Sequence, residues 1–302
     1  MDVAASNNIV FDKKSGISIL NILPQKLWKI ASDIGITILP SALVKPSFFE
    51  FGLSVLGRSS SQVSIFLRSV KPGAIVFDVG ANIGEFTILL SHAVGPNGKI
   101  HAFEPVPQTF ERLTRNVKKS SINNRVILNN CALSDHLGYA TIHMPASDET
   151  EASLTDHSYA SWSSKSVVSF DCKLETLDNY SVMHNIEKID FVKIDVEGAE
   201  MLVLRGMKKI LSNKSPPVLM LEAFPPWMKD FGFTTNDMFS LLTENGYVIY
   251  FISKNGLVLC HSPNEMAKMV GFPQFVDFLC IVPQLHKDVM ASLKRLLCLE
   301  SG

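Results

Sequence analysis

A glycine-rich turn between a predicted buried strand and a predicted helix restricts this chain to few folds. The strand is Ile75–Val79, and the turn follows the pattern Asp78-x-Gly80-x-Asn82-x-Gly84. A second predicted strand, Lys99–Phe103, ends at Glu104. A strand, a glycine turn, a helix and an acid at the end of the next strand are typical of parallel α/β sheets that bind an adenosyl ligand.

The glycine pattern favours S-adenosylmethionine over a dinucleotide. It is not GxGxxG, and it lacks the Lys-Ser/Thr of a phosphate loop, two motifs that point backbone N–H groups at phosphates. Gly80 and Gly84 allow close backbone approach to a ligand. Asp78 can accept from the ammonium group of the methionine tail, directly or through water, and Glu104 can accept from both ribose hydroxyls. An NAD-dependent oxidoreductase with an atypical turn remains a distant alternative.

Other candidate cofactor contacts lie beside these residues. Asn82 is within the turn, and Phe103 precedes Glu104. The segment after the third predicted strand should lie beside the adenine, although a structural turn explains its spacing equally well. Its candidate residues are Asn130, Cys131 and Ala132.

A second group of acids marks the predicted transfer end of the site. The apolar strand Phe191–Ile194 ends at Asp195, and Val218–Glu222 places Glu222 at the end of the next strand. In an open parallel sheet both carboxylates point toward the ligand crevice. They could share Mg²⁺, or one could act as general base or position the nucleophile. Asp195 also counts as a cofactor contact, and His157 is a candidate base from a polar loop.

Apolar runs that alternate with helical patterns predict a parallel α/β sheet from about residue 71 onward. The other predicted strands are Val126–Asn129, Tyr247–Ile252 and Phe278–Val282. The predicted helices are Gly84–Ala93, Pro107–Lys119, Ala199–Leu211 and Thr235–Asn245, with a long loop from Ser253 to Pro273. Gly138–His143 and Val167–Cys172 alternate as strands, which predicts an inserted hairpin or substrate flap over residues 138–170. An ordinary surface loop is the alternative interpretation.

Residues 1–70 predict an N-terminal helical extension that could form a lid, a partner surface or a homodimer contact. The apolar stretch within it is interrupted by Pro24, Lys26 and Asp33, among others, so stable membrane insertion is not expected. The start of the chain lacks the pattern of a signal peptide.

Composition excludes several classes of protein. The 302 residues are 46% hydrophobic and 19% charged, with a formal net charge of −1, so no strong field exists for nucleic acid. The five cysteines are widely spaced without CxxC pairs. This argues against a zinc cluster and for a reducing, cytoplasmic location.

Together these motifs resemble the FkbM family of S-adenosylmethionine-dependent methyltransferases. The resemblance runs from about Val70 to Ile252. The matching segments are Phe77–Gly84, Ala102–Pro105, Asn130–Asp135, Ile189–Glu200 and Leu204–Gly206, extended by the strand that ends at Glu222.

The resemblance implies a class I methyltransferase fold, a Rossmann-like, mostly parallel seven-stranded sheet with the last strand antiparallel and helices on both faces. Residues 71–302 would then form the methyltransferase domain. The resemblance also implies methyl transfer to a hydroxyl of a natural product or glycan. N-methylation of a peptide or amino-acid side chain is the alternative acceptor chemistry.

Overall fold

The computed structural model describes residues 65, 67–145, 152–155, 166–253, 256–269 and 276–294. The strands are β1 Ile75–Val79, β2 Lys99–Phe103, β3 Val126–Asn129, β4 Ala132–Leu133, β5 Gly138–Pro145, β6 Val167–Glu175, β7 Phe191–Ile194, β8 Val218–Ala223, β9 Val248–Ser253, β10 Gly256–Cys260 and β11 Val276–Ile281. The helices are α1 Glu85–Val94, α2 Pro107–Lys119, α3 Leu177–Met183, α4 Glu200–Arg205, α5 Lys208–Leu211, α6 Pro225–Asp230, α7 Thr235–Glu244, α8 Pro263–Met269 and α9 Lys287–Leu293.

The main sheet has eight strands in the order β10-β9-β11-β8-β7-β1-β2-β3. Strands β3, β2, β1, β7 and β8 are mutually parallel. Strand β11 inserts antiparallel between β8 and β9, and β10 pairs antiparallel with β9 at one edge. The strand order reverses beside β1, where β2 and β7 flank it, so the ligand crevice is expected at the carboxyl ends of these three strands.

Both faces of the sheet are covered, because its central strands are apolar on both sides. One buried cluster includes Val76 and Leu90, and the other includes Phe77 and Leu204. Near-continuous apolar runs of this kind are what a parallel sheet between helices requires. The fold class that the resemblance implied is confirmed, with β10 as an additional edge strand beyond the predicted seven.

A second, three-stranded sheet contains the predicted hairpin. Strands β5 and β6 pair antiparallel from Gly138↔Leu174 to Pro145↔Val167, and β4 pairs parallel with β6. Ser153 forms an isolated bridge with His143. The hairpin prediction is confirmed, and a role of this segment as a substrate flap stays a prediction.

Two element predictions were wrong. The helix predicted over Ala199–Leu211 is divided into α4 and α5, since the backbone turns at Gly206 and Met207. The segment predicted as a long loop after Ser253 contains β10 and α8. Residues 256–260 pair antiparallel with β9, a partner that their own sequence pattern did not reveal.

The predicted N-terminal helices lie almost wholly outside the described residues. No helix among the residues that the structure describes is both long and apolar enough to span a bilayer.

Candidate functional site

A cavity of about 440 Å³ opens at the carboxyl ends of β1, β2, β7 and β8. Its wall includes eight of the residues predicted for the site: Gly80, Asn82, Phe103, Glu104, Cys131, Ala132, Asp195 and Glu222. Asp78, Gly84 and Asn130 are not among the residues of this wall. His157 lies outside the described residues. The topology therefore brings the two predicted halves of the site to one crevice.

The glycine turn is held against the end of β7. Gly80 has φ +75°, and a Cβ atom added there would lie 1.7 Å from the backbone oxygen of Asp195. Asn82 also takes a left-handed conformation, with φ +49°. Only a residue without a side chain allows this approach at position 80. The turn thus sets the distance between the predicted cofactor end and the predicted transfer end.

Glu104 lies at the cavity wall beside the turn and is 6% exposed. Its Oε2 accepts from the backbone N–H of Asn82 at 2.9 Å, and its Oε1 accepts from that of Val106 at 3.0 Å. Burial raises the pKa of this carboxyl to about 7, although the two backbone N–H groups oppose the shift. Each carboxylate oxygen has a second lone pair, so both remain able to accept from a ligand.

The side chain of Asn130 holds the backbone at Glu104 and Pro105. Its Nδ2 donates to the backbone oxygens of Glu104 and Pro105, at 2.8 and 3.0 Å. Cys131 and Ala132 follow at the wall. Burial raises the pKa of the Cys131 thiol to about 11, so this side chain acts as a neutral, apolar surface.

Asp78 is fully buried beneath the turn. Its Oδ2 accepts from Thr87 Oγ1 at 2.6 Å, and its Oδ1 lies 3.9 Å from Lys193 Nζ. Burial raises the pKa of Asp78, and the Lys193 charge and the Thr87 hydrogen bond counteract this shift.

Gly84 packs against α2, where an added Cβ would lie 2.6 Å from Leu113 Cδ1.

Asp195 and Glu222 meet at the opposite end of the cavity. The register pairs Ile194 with Leu221, and its extension by one residue brings the two acids side by side. They share a side-chain hydrogen bond. The pKa of Glu222 is raised well above its usual value, first by burial and then by the Asp195 charge. The direction of this shift favours the protonated form of Glu222 beside Asp195.

The sequence analysis assigned no role to Lys193 or Asp277. Lys193 donates to Asp195 Oδ2 at 2.9 Å, and Asp277 pairs with Glu222 across β8 and β11. Trp227 also lines the cavity, from α6. A lysine within the otherwise apolar strand β7 was a readable signal; Asp277 had none before β11 was placed.

The hairpin sheet closes the remaining side of the cavity with Ile142, Ala152, Ser153 and Leu154. Ser153 Oγ donates to the backbone oxygen of Glu197 at 3.0 Å. Glu197 has φ +53° and Gly198 has φ +98°, two successive left-handed residues after Asp195. The hydrogen bond thus ties the hairpin sheet to the strained turn that follows β7.

Residues 78–249, more than half of the chain, match the family model described as "Methyltransferase FkbM domain". This segment contains the glycine turn, the second-strand acid and both acids of the transfer end.

Similar curated proteins carry methyltransferase names. One is "31-O-demethyl-FK506 methyltransferase FkbM" of Streptomyces tacrolimicus, 45% identical over 69 residues, 23% of this chain and 25% of that protein. "Methyltransferase 1" of Beauveria bassiana is 30% identical over 44% of this chain and 58% of its own length. "Hexuronic acid methyltransferase AglP" of Haloferax volcanii is 26% identical over 60% and 66%. The chain thus spans between a quarter and about two-thirds of these relatives.

Proposed function

Because the chain belongs to the FkbM methyltransferase family, we propose that it transfers the methyl group of S-adenosylmethionine to a hydroxyl group of a small molecule or glycan. The observation that carries the proposal is a single cavity with two chemically different ends. Glu104 and the glycine turn form one end, and the Asp195–Glu222 pair forms the other.

Glu104 is the residue proposed to bind the ribose. Its carboxylate is fixed by two backbone N–H groups and still has lone pairs toward the cavity. The turn at Gly80 offers space for the methionine tail, and Cys131 and Ala132 offer a flat apolar surface for the adenine. Asp78 lies behind the turn, so its predicted contact with the ammonium group would pass through a bridging water or through the turn itself.

The charge of the cavity favours this ligand over NAD. Among the described residues of the wall, five carry carboxyl groups and Lys193 carries the one basic side chain. S-adenosylmethionine has a sulfonium and an ammonium group, whereas NAD would place a pyrophosphate beside these acids. Like charges at such distances disfavour binding. The oxidoreductase alternative is therefore not proposed.

Asp195 is proposed as the group that accepts the acceptor's hydroxyl proton. The raised pKa of Glu222 favours its protonated form, so Asp195 is proposed as the ionised member of the pair. The sulfonium supplies an activated methyl group, whose carbon–sulfur bond breaks toward sulfur as the acceptor oxygen bonds to carbon. The products are the methyl ether, S-adenosylhomocysteine and protonated Asp195. The enclosed cavity orients the reactants for this in-line transfer.

The names of the relatives support a hydroxylated acceptor. One relative is named for an oxygen-bound methyl group, and another for a hexuronic acid. The acceptor would enter between the hairpin sheet and Trp227, where Ile142 and Leu154 provide apolar contact. N-methylation stays as the alternative, since a carboxylate base could equally accept a proton from an amine.

Mg²⁺ at Asp195 and Glu222 is the least supported part of the sequence prediction. Carboxylate oxygens of Asp195, Glu197 and Glu222 lie within 4.8 Å of one another, which suits a divalent cation. However, the ammonium group of Lys193 already contacts Asp195, with Nζ 2.9 Å from Oδ2. These donors are a poor fit for a metal, so no step is assigned to one.

Cytoplasmic location also remains a proposal. It is supported by the described cysteines, Cys131, Cys172, Cys260 and Cys280, which are free and buried. A lid or dimer contact formed by residues 1–70 stays a prediction.

Calorimetry with S-adenosylmethionine tests the cofactor assignment. Glu104→Gln should weaken binding by about 10- to 100-fold, the range for hydrogen bonds to a charged group. Because ribose hydroxyls favour the ionised carboxylate, wild-type affinity should increase as the pH rises through about 7, where Glu104 titrates. Glu104→Gln should lose this dependence. Glu244→Gln, on an exposed site at the end of α7, is the matched control.

Methyl transfer itself is tested by release of S-adenosylhomocysteine with a panel of hydroxylated macrolides, hexuronic acids and amino compounds. Asp195→Asn should lose turnover by at least about 100-fold, the contribution of a general base, with cofactor affinity changed far less. Tight NAD binding without S-adenosylmethionine binding, or near-wild-type turnover of Asp195→Asn, would contradict the proposal. Turnover with amino compounds alone would select the N-methylation alternative.

A further inference from the structure

Lys193 places a buried ammonium group between the two ends of the cavity. Its side chain is 5% exposed, and Nζ lies 2.9 Å from Asp195 Oδ2 and 3.9 Å from Asp78 Oδ1. On another side, Nζ lies 4.6 Å from the ring centroid of Phe86. Desolvation of an ammonium group costs several kcal/mol, and two carboxylates with an aromatic face are the surroundings that compensate for it.

The sheet register produces this arrangement. Asp78 on β1 is the direct partner of Lys193 on β7. Lys193 and Asp195 are two residues apart, so they project from the same face of the strand. The ammonium group therefore reaches toward the carboxyl edge of the sheet, where Asp195 meets Glu222. Its position depends on pairing between elements rather than on a flexible surface loop.

The surroundings of Lys193 are otherwise acidic. Charged groups reach this region from β1, the end of β2, the entrance of α4, β8 and β11: Asp78, Glu104, Glu197, Glu200, Glu222 and Asp277. A cation is needed here if Asp195 is to stay ionised beside Glu222. Lys193 is the described basic side chain in the cavity wall.

We infer that Lys193 is a positioning residue for methyl transfer: its ammonium group holds the Asp195 carboxylate in place and takes the role that Mg²⁺ would otherwise have. The inference rests on the proposed function and adds the cation of its transfer end. With Oδ2 of Asp195 bound to Lys193, the carboxylate has a fixed plane, and its other oxygen is left to meet Glu222 and the acceptor. Lys193 itself accepts and donates no proton in the reaction.

A fixed ammonium group suits this chemistry better than a metal. A divalent cation would have to bind Asp195, whose Oδ2 already accepts from Lys193 Nζ at 2.9 Å. It would also add two positive charges near the sulfonium group that must bind next to it. Lys193 carries a single positive charge, and the carboxylates of Asp78 and Asp195 both lie next to it. The orientation of Asp195 is therefore fixed without excess positive charge near the sulfonium group.

Three variants test the role of the ammonium group. Lys193→Met removes the charge at similar length and should lower turnover by about 10- to 100-fold, the cost of a small displacement of a reacting group. Its affinity for S-adenosylmethionine should change by less than about threefold, a difference under 1 kcal/mol. Lys193→Arg keeps the charge and should recover most of the turnover. Lys99→Met, an exposed lysine at the start of β2, should behave as wild type.

A second experiment tests whether a metal binds at this site. Electron paramagnetic resonance detects Mn²⁺ binding and does not require that the methyl acceptor be known. Wild-type protein with S-adenosylmethionine should leave the aqueous Mn²⁺ signal unchanged, and turnover should survive chelation with EDTA. Mn²⁺ binding that Asp195→Asn abolishes would overturn the inference, because a metal would then be the cation of this site. Wild-type turnover in Lys193→Met, or a loss of turnover matched by an equal loss of cofactor affinity, would also overturn it.

Lys193→Met leaves Asp78 and Asp195 without their common cation and risks misfolding. The double variant Asp78→Asn/Lys193→Met also removes the carboxylate of Asp78, so that only Asp195 is left without its cation. Its turnover is then compared with that of Asp78→Asn alone. A further loss of at least about tenfold supports the positioning role, and equal turnover contradicts it. Failure of the proposed function has a different signature, since wild-type protein would then bind no S-adenosylmethionine.

Discussion

At the scale of single residues, a close backbone contact restricts the residue type at position 80 to glycine. Gly80 is required because the oxygen of Asp195 occupies the position of any Cβ atom. A sequence shows that a glycine is present, but not which backbone lies against it. Here the contact joins the cofactor turn to the residue proposed as base.

Gly80→Ala should therefore destabilise the protein by about 3 kcal/mol or more, from left-handed strain plus a steric clash. It should also abolish binding of S-adenosylmethionine. Gly232→Ala is the matched control, since Gly232 has φ +78° with no atom within 4 Å of the added carbon. That variant should cost about 1 kcal/mol. Urea unfolding and calorimetry measure both effects, and equal costs would contradict the contact.

At the scale of elements, the break between α4 and α5 shows where local pattern is insufficient. The apolar spacing over residues 199–211 is helical throughout, which is why one helix was predicted. Gly206 lies against the backbone of Ser134, where a Cβ atom would be 1.9 Å from the oxygen. The close contact with the turn after β4 thus accounts for the change of direction at Gly206. Local helix propensity cannot predict this contact, because Ser134 is distant in the sequence.

Gly206→Ala should destabilise the protein even though alanine favours helix over glycine. Helix propensity would add about 1 kcal/mol of stability, whereas the overlap with Ser134 costs about 1–3 kcal/mol and leaves an uncompensated backbone shift. We expect a net loss of about 1 kcal/mol by urea unfolding. Lys209→Ala, at an exposed position of α5, should change stability by less than about 0.5 kcal/mol. A stabilised Gly206→Ala would show that the two backbones move apart freely.

At the scale of the whole molecule, stability depends on buried groups with opposite responses to pH. Burial raises the pKa values of Glu104 and Glu200 to about 7, so the folded protein binds more protons than the unfolded chain between about pH 4.5 and 7. Their contribution therefore decreases as pH rises through this range. Burial lowers the pKa of His101 to about 4, so its contribution decreases as pH falls from about 6.5 to 4.

Glu200→Gln isolates the pH-dependent contribution of Glu200 to stability. Glu200 Oε1 accepts from the backbone N–H of Gly198, which glutamine can retain. The variant should gain stability relative to wild type as pH rises from about 5 to 8, by up to about 3 kcal/mol. Thermal unfolding across this range measures the difference, with Glu244→Gln as the exposed control. A difference that does not vary with pH would mean that Glu200 is already ionised in the folded protein.

Much of the architecture was readable from the sequence. The strands β1, β2, β3 and β7 and the helix α2 were predicted with their observed bounds, because apolar runs and turn residues are local signals. The glycine turn, Glu104 and Asp195 were recognised as one crevice since parallel strands point their carboxyl ends to the same edge. The sequence thus determined the kind of protein and the side of the sheet that carries its site.

Tertiary structure alone decided how the acids at that edge are used. Strand register placed Lys193 opposite Asp78, and β11 brought Asp277 beside Glu222 across more than fifty residues of chain. Packing put Asp78 behind the glycine turn and brought the carboxyl groups of Asp195 and Glu222 side by side. Hydrogen bonding and desolvation depend on distances between distant segments, and only the folded chain defines those distances.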